Sequence, residues 1–424
     1  MAPFASRSFR FQWPADLCTA WALEMETLIL GWYVLVQTGS VLLLTAFGAL
    51  QFIGTLASPL LGTLADRVGL RRVLASMRFA YAALAGVILL LVASGQLSPW
   101  AVLGVAGVAG LLRPSDIGMR TALVGATVPP QHLMAAMGIS RTSMDSAKVA
   151  GALVGAGVVA VFGMGVAYAG ITLIHLAGAL LTLRADSGRH QALPTPGQAV
   201  AKERLFELVF AGEVDVQPDA IEVVAYRLRT RLAATPARAL VNLSAFPFTG
   251  GLMPYIARDI FHFDQRGLGW LVASFAGGAL AGSLLMGAVG GRLRPGRTMM
   301  VACVLWYGCL FGFVATLQPA LAMVLLAAAG AAQSISMLAL SMLLLRSSDQ
   351  RFRGRIMGVR MLAIYPLPLG LLIAGALIPR IGYGPTAYLV LGGGLLLALA
   401  IGLAWHAQLW RHDAPANLRA VPPA

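Results

Sequence analysis

Charge is scarce in this chain. Only 11% of its 424 residues are Asp, Glu, Lys or Arg, 58% are hydrophobic, and mean hydropathy is +0.79. A soluble domain is roughly a quarter charged, so this composition excludes a water-soluble fold. Cysteine is scarcer still. Cys18, Cys303 and Cys309 each sit in an apolar stretch without redox or metal-ligand spacing, which leaves them as core packing. Acids are the third shortage, 17 against 31 Lys and Arg, for a net charge of +14. In a soluble chain that surplus would suggest nucleic acid; here the arginines gather in particular loops and point to membrane orientation instead. The sequence contains no Walker loop, nucleophile elbow or metal-ligand cluster, so nothing calls for an enzyme, a metal or a cofactor. A cleaved signal is not expected, because the apolar segment after Arg7 and Arg10 is too long and carries Glu24 and Glu26.

What the chain has instead is long apolar runs. A membrane span needs about 20 such residues. Runs of that kind lie near 15–37, 41–61, 74–95, 100–122, 137–161 and 165–184, and resume near 238–258, 268–289, 298–316, 319–345, 357–378 and 384–406. The expected fold class is therefore an all-α membrane protein with twelve transmembrane helices in two pseudo-symmetric six-helix bundles. The bundles take residues 1–186 and 238–424, with a connection over 187–237. Arg67, Arg71, Arg72, the connection from Arg184 to Arg238, Arg292, Arg294, Arg297, Arg351, Arg353, Arg355 and Arg411 fall on one side, against Arg258, Arg266 and Arg380 on the other. The basic side reads as cytoplasmic, with both termini there.

The halves echo each other. GTLADRVGLRR (Gly62 to Arg72) after the second span is answered by GGRLRPGR (Gly290 to Arg297) after the eighth, and Gly138 and Gly155 by Gly358 and Gly375. Such repeats mark transporter folds, with the site at the midplane between the halves. GTLADRVGLRR resembles the signature loop of the major facilitator superfamily. That resemblance implies secondary transport, with Gly62, Asp66, Arg67, Arg71 and Arg72 forming a latch against the start of span eleven, near Arg355. GWYVL at Gly31, MPYIARDI at Met253, RGRIMG at Arg353 and PLG at Pro368 resemble its bacterial enterobactin and macrolide exporters. The resemblance implies a proton-driven exporter of a small amphipathic molecule, a siderophore or drug, acting as a monomer in the bacterial inner membrane. Two motifs depart from the family: no proline stands before Gly155 in span five, and the second-half loop has no counterpart of Asp66.

A charge at mid-bilayer costs roughly 2.5–3.5 kcal/mol on insertion scales, so it normally faces a cavity or a partner. Such residues concentrate in the first half: Glu24 and Glu26, Arg78, Arg113, Asp116 and Arg120, Asp145 and Lys148. Spans four and five run in opposite directions, which places Arg113, Asp116, Arg120, Asp145 and Lys148 in one expected buried charge network, as structural glue or as coupling machinery. Desolvation disfavours an ionised carboxyl, making Glu26, Asp116 and Asp145 the proton-coupling candidates. Glu24 and Glu26 lie about 200° apart on a helix, so only one can face the central cavity. Glu26 is the choice, having no base along its own helix. His175, Trp32 and Tyr33 read as packing residues. Between the halves, Lys202 to Leu232 reads as two short amphipathic helices, the second resembling the recognition helix of winged-helix response regulators. With no room for the accompanying sheet and wing, nucleic-acid binding is not expected. A membrane-anchored regulator using this segment to bind DNA or a protein stays open as the alternative.

Overall fold

The computed structural model describes residues 2–55, 61, 64–65, 67–185, 240–289, 293–346 and 366–404. Gly62, Asp66, Arg355 and the segment from Lys202 to Leu232 lie outside them. In lipid every backbone N–H and C=O must be paired within the protein, which apolar segments achieve by coiling. Among the described residues no strand occurs. The helices of the first half are α1 (Arg7–Thr38), α2 (Val41–Leu50, then a 3-10 turn at Ile53–Thr55), α3 (Leu70–Ala93), α4 (Pro99–Thr127) and the stretch Pro130–Arg184. Gly163 divides that stretch into α5 (130–162) and α6 (164–184) with φ 80° and ψ 173°. After a broken α7 (240–260) come α8 (Gln265–Val289), α9 (Pro295–Ala315), α10 (Pro319–Arg346), α11 (Pro366–Ile381) and α12 (Tyr383–Ala404). Among the described residues eight helices are long and apolar enough to cross a membrane. The division at Gly163, the shorter α2 and α11, and the broken α7 bring the spans to twelve.

The boundaries differ from the apolar runs in instructive ways. The first helix begins at Arg7 rather than near 15, and the fifth at Pro130 rather than near 137. Both continue as helix into polar sequence, where hydropathy no longer follows the backbone. The second loses α-helical form at Leu50. The seventh, expected as one helix, is in pieces: Phe246–Thr249, Met253–Tyr255 and a π turn at Ile256–Ile260. Pro247 and Pro254 donate no backbone hydrogen bond, and Gly250, at φ −134° and ψ −89°, leaves the helical region between them.

Turns on the face away from the basic loops are short. At Gly39, φ 62° ends α1 with its N–H on the Leu35 carbonyl at 2.8 Å, and Ser40 then caps α2 by accepting from Leu43 N. A single residue, Gly163, joins α5 to α6 in a region of φ/ψ space that is essentially glycine-only and costs other residues about 1–3 kcal/mol. Gly163→Ala is accordingly expected to lower stability by an amount in that range, measurable as a lower Tm of the purified protein; an unchanged Tm would show that the turn relaxes. Leu90, Trp100, Phe162, Val324 and Leu396 are each more than 60% exposed, as lipid-facing side chains must be. Trp100, Phe162 and Trp270 stand at the arginine-poor ends of α4, α5 and α8, where an aromatic belt belongs.

One cluster of buried apolar side chains runs through both halves. Their close contacts use small residues. A Cβ on Gly375 of α11 would strike Thr45 of α2, and one on Gly269 of α8 would come within 2.8 Å of the Ala156 Cβ on α5. Position 31 of α1 packs on the Pro254 ring of α7. Arg258, at the π turn of α7, donates from Nη1 to the Leu35 carbonyl of α1 at 2.7 Å. All these contacts lie toward the arginine-poor ends of the helices, where the two halves are closed together.

Candidate functional site

Ionisable side chains within the spans arrange themselves around α1. Nearest the arginine-rich face is a four-membered ring from three helices. Arg78 of α3 is paired with Asp16 of α1, and its Nε lies 3.9 Å from Asp116 of α4. Arg120 of α4 is paired with Asp116, and its Nε lies 4.0 Å from Asp16. Two acids and two bases thus alternate, with side-chain exposures from 0 to 11%. Further bonds fix the ring in place: Arg78 donates to Thr182 of α6, and Gln12 Nε2 to the Arg120 carbonyl at 3.0 Å.

About two turns further along α1 lies a second, more open group. Arg113 of α4 donates to Gln51 of α2 and, at 3.1 Å, to Thr27 of α1, and its Nη2 lies 3.8 Å from Glu24. Glu24 retains 28% and Arg113 17% side-chain exposure. Glu26, Thr27, Gln51, Tyr81 and Arg113 line one narrow crevice inside the first half. A Cβ on Gly151 of α5 would come 2.9 Å from the Glu24 Cβ, so glycine there lets α5 approach α1 at this depth.

The expected network of α4 and α5 is therefore divided. Arg113, Asp116 and Arg120 share a helix but not a partner, for Arg113 belongs to the Glu24 group. Asp145 pairs instead with Arg141, one turn away on α5, at 3.1 Å. Among the described residues Lys148 forms no ion pair. Glu26 also takes a different direction from the one expected. It is turned into the first half, with Oε2 3.4 Å from Nε2 of His175 on α6, because the 200° separation points Glu24 and not Glu26 toward α5. Asp16, which composition alone gave no reason to select, completes the ring. Asp16 lies at the edge of the expected first run, 15–37, and the helix from Arg7 carries it well inside the bundle.

The second half has no counterpart to these groups among the described residues. Its interior polar contacts include Ser244 with Tyr307, at 2.6 Å, and a crevice there is lined by Asn242, Met299, Met300, Cys303, Trp306 and Met337 among others. Among the described residues no three His, Cys, Asp or Glu side chains converge as metal ligands. Of the signature-loop residues, Arg71 donates to the Ala185 carbonyl at the end of α6 at 3.0 Å, while Arg67 and Arg72 are exposed.

Comparison with known proteins places this architecture. The family model described as Major Facilitator Superfamily matches residues 17–242 and 239–420. No curated protein sequence matches. Among solved structures, the chain is similar to a peptide transporter POT in complex with sulfate, at TM-score 0.66 and 14% identity over 96% of each chain. It is similar to a D-xylose-proton symporter at TM-score 0.67 and 12% identity, over 96% of this chain and 97% of that one. The human organic anion transporter MFSD10 aligns at TM-score 0.62 and 16% identity, over 93% and 98%. At such identities the likeness speaks for the fold, and the family model for membership. The chain is a multi-pass membrane protein of the Major Facilitator Superfamily, whose twelve-helix fold performs secondary active transport.

Proposed function

We propose that the protein is a proton-coupled exporter of a small amphipathic molecule, a siderophore or a drug, working by alternating access as a monomer in the bacterial cytoplasmic membrane. The arginine-rich face, with both termini, is the cytoplasmic one. The loop residues Gly62, Asp66, Arg67, Arg71 and Arg72, with Arg355, latch that face when it closes, while the contacts around Gly375, Gly269 and Arg258 close the other. Residues 1–186 and 238–424 are the moving bundles and 187–237 their cytoplasmic connection.

The observation that carries the coupling reading is the contrast among the three acids. Asp116 stands between two arginines and Asp145 is paired with Arg141, so each already has a permanent cation as its partner. Glu26 faces a crevice and a histidine, a base that is neutral or charged according to conditions. Glu26 is thus the proton carrier, ahead of Asp116 and Asp145.

The test uses proteoliposomes. A deletion strain is first screened against catechol siderophores and cationic antibiotics to choose the transported probe. Glu26→Gln is then expected to lose pH-driven uptake of that probe by at least about tenfold while keeping exchange without a gradient. Asp145→Asn is expected to retain both. Full pH-driven uptake in Glu26→Gln would refute proton coupling through this residue.

A further inference from the structure

His175 is 0% exposed and sits in α6, facing α1 and α3. Its Nε2 approaches Glu26 Oε2 at 3.4 Å, and its ring lies against Tyr81 with centroids 5.7 Å apart. Among the described residues its Nδ1 has no hydrogen-bond partner, and neither do the hydroxyls of Tyr81 and Tyr168, both at most 1% exposed. An unpaired buried polar atom costs about 1–3 kcal/mol, so a buried imidazole with one nitrogen unpaired is not explained by packing. A histidine kept only to fill space would be better replaced by an apolar residue of like size. Glu26, by contrast, keeps 16% side-chain exposure and lines the crevice. One member of the pair is reached from the crevice, and the other is sealed behind it.

We infer that Glu26 and His175 form a two-site proton carrier, in which the carboxyl receives the proton from the crevice and passes it to Nε2 of the imidazole. The inference rests on the proposed coupling through Glu26 and adds a second station to it. In the transfer the O–H bond of the carboxylic acid breaks, an N–H bond forms at Nε2 using the imidazole lone pair, and a carboxylate–imidazolium pair remains. The reverse transfer unloads the carrier. No oxidant or further reactant takes part. Histidine suits the second station because both of its forms are accessible near neutral pH.

The other groups around the pair do not compete for this role. Arg113, from α4, is engaged by Glu24, Gln51 and Thr27. Tyr81 of α3 and Tyr168 of α6 offer neutral phenols. On the remaining side, α5 meets α1 through Gly151 and Gly155, which bring no titratable atom.

The test needs no substrate, so its failure is distinguishable from failure of the transport assay. Full-length protein in lipid nanodiscs is titrated while its protonated-carboxyl infrared band is followed, and the Glu26 component is identified by its loss in Glu26→Gln. In His175→Gln that component is expected to shift along the pH axis, because the carboxyl has lost the group with which it exchanges its proton. An unshifted band in folded His175→Gln overturns the inference. Should that variant fail to fold, ¹⁵N spectra of the histidines decide instead. In Glu26→Gln one of the six histidines is expected to change its titration relative to the parent protein. Six unchanged histidine titrations overturn the inference equally.

Discussion

Replacing Arg78 by methionine is expected to cost about 3–5 kcal/mol of stability, the penalty for removing one partner from a buried ionic arrangement. Native ΔG values are about 5–15 kcal/mol, so the variant should accumulate poorly and unfold at a much lower temperature. The loss follows from what stays behind. Asp16 and Asp116 would share Arg120 alone, leaving an uncompensated negative charge in a site where Asp116 is wholly buried. Thr182 would lose its donor as well. The informative comparison is Arg78→Met with Asp16→Leu, which removes one acid and one base and leaves the Arg120–Asp116 pair complete. That double variant should recover most of the stability, although it carries one more substitution. Thermal unfolding of the parent, both single variants and the double variant closes the cycle. Additive losses would mean that the ring is not a unit.

A second large effect is expected at the arginine-poor face. Gly269→Leu places a branched side chain where even a Cβ comes within 2.8 Å of the Ala156 Cβ. Overpacking of this kind costs about 1–3 kcal/mol, and each 1.4 kcal/mol is tenfold in an equilibrium. The cost falls only on the conformation with the two halves closed at this face, so the population moves toward the one open there, by about 5- to 150-fold. Gly277 is the control, since a Cβ there meets nothing within 4 Å although it lies on the same helix. The reporter is Thr45→Cys, in a background with Cys18, Cys303 and Cys309 replaced. Thr45 is fully buried at the α2–α11 contact, away from the substituted residue. An impermeant maleimide added from the arginine-poor side should label it rapidly in Gly269→Leu and slowly in Gly277→Leu. Equal slow labelling in both would mean that the halves do not part there.

The spans, their number and the two halves were legible because a bilayer imposes length and apolarity on each helix separately. The break in α7 was legible too, in Pro247, Gly250, Gly251 and Pro254 within eight residues, yet hydropathy alone passed over it. The site was less so. Which face a helix turns to its neighbours depends on helices far away in sequence, and Arg78 meets Asp16 across 62 residues, His175 meets Glu26 across 149. Reading Glu26 along its own helix left it without a base because the base comes from α6. Asp145 shows the opposite error. Its partner Arg141 stands four residues away, at a spacing that favours ion pairs on helices, whereas depth in the membrane points to Lys148.

The contact between Arg258 and α1 has an unusual genetic signature. Its acceptor is a peptide carbonyl, that of Leu35, which every substitution at position 35 except a disruption of the helix itself would preserve. A side-chain scan of α1 would therefore pass over the contact, and no compensating change in α1 could restore it after Arg258 is lost. Selection can adjust its strength from the α7 side alone, chiefly through Asp259, which holds the same guanidinium at 3.0 Å.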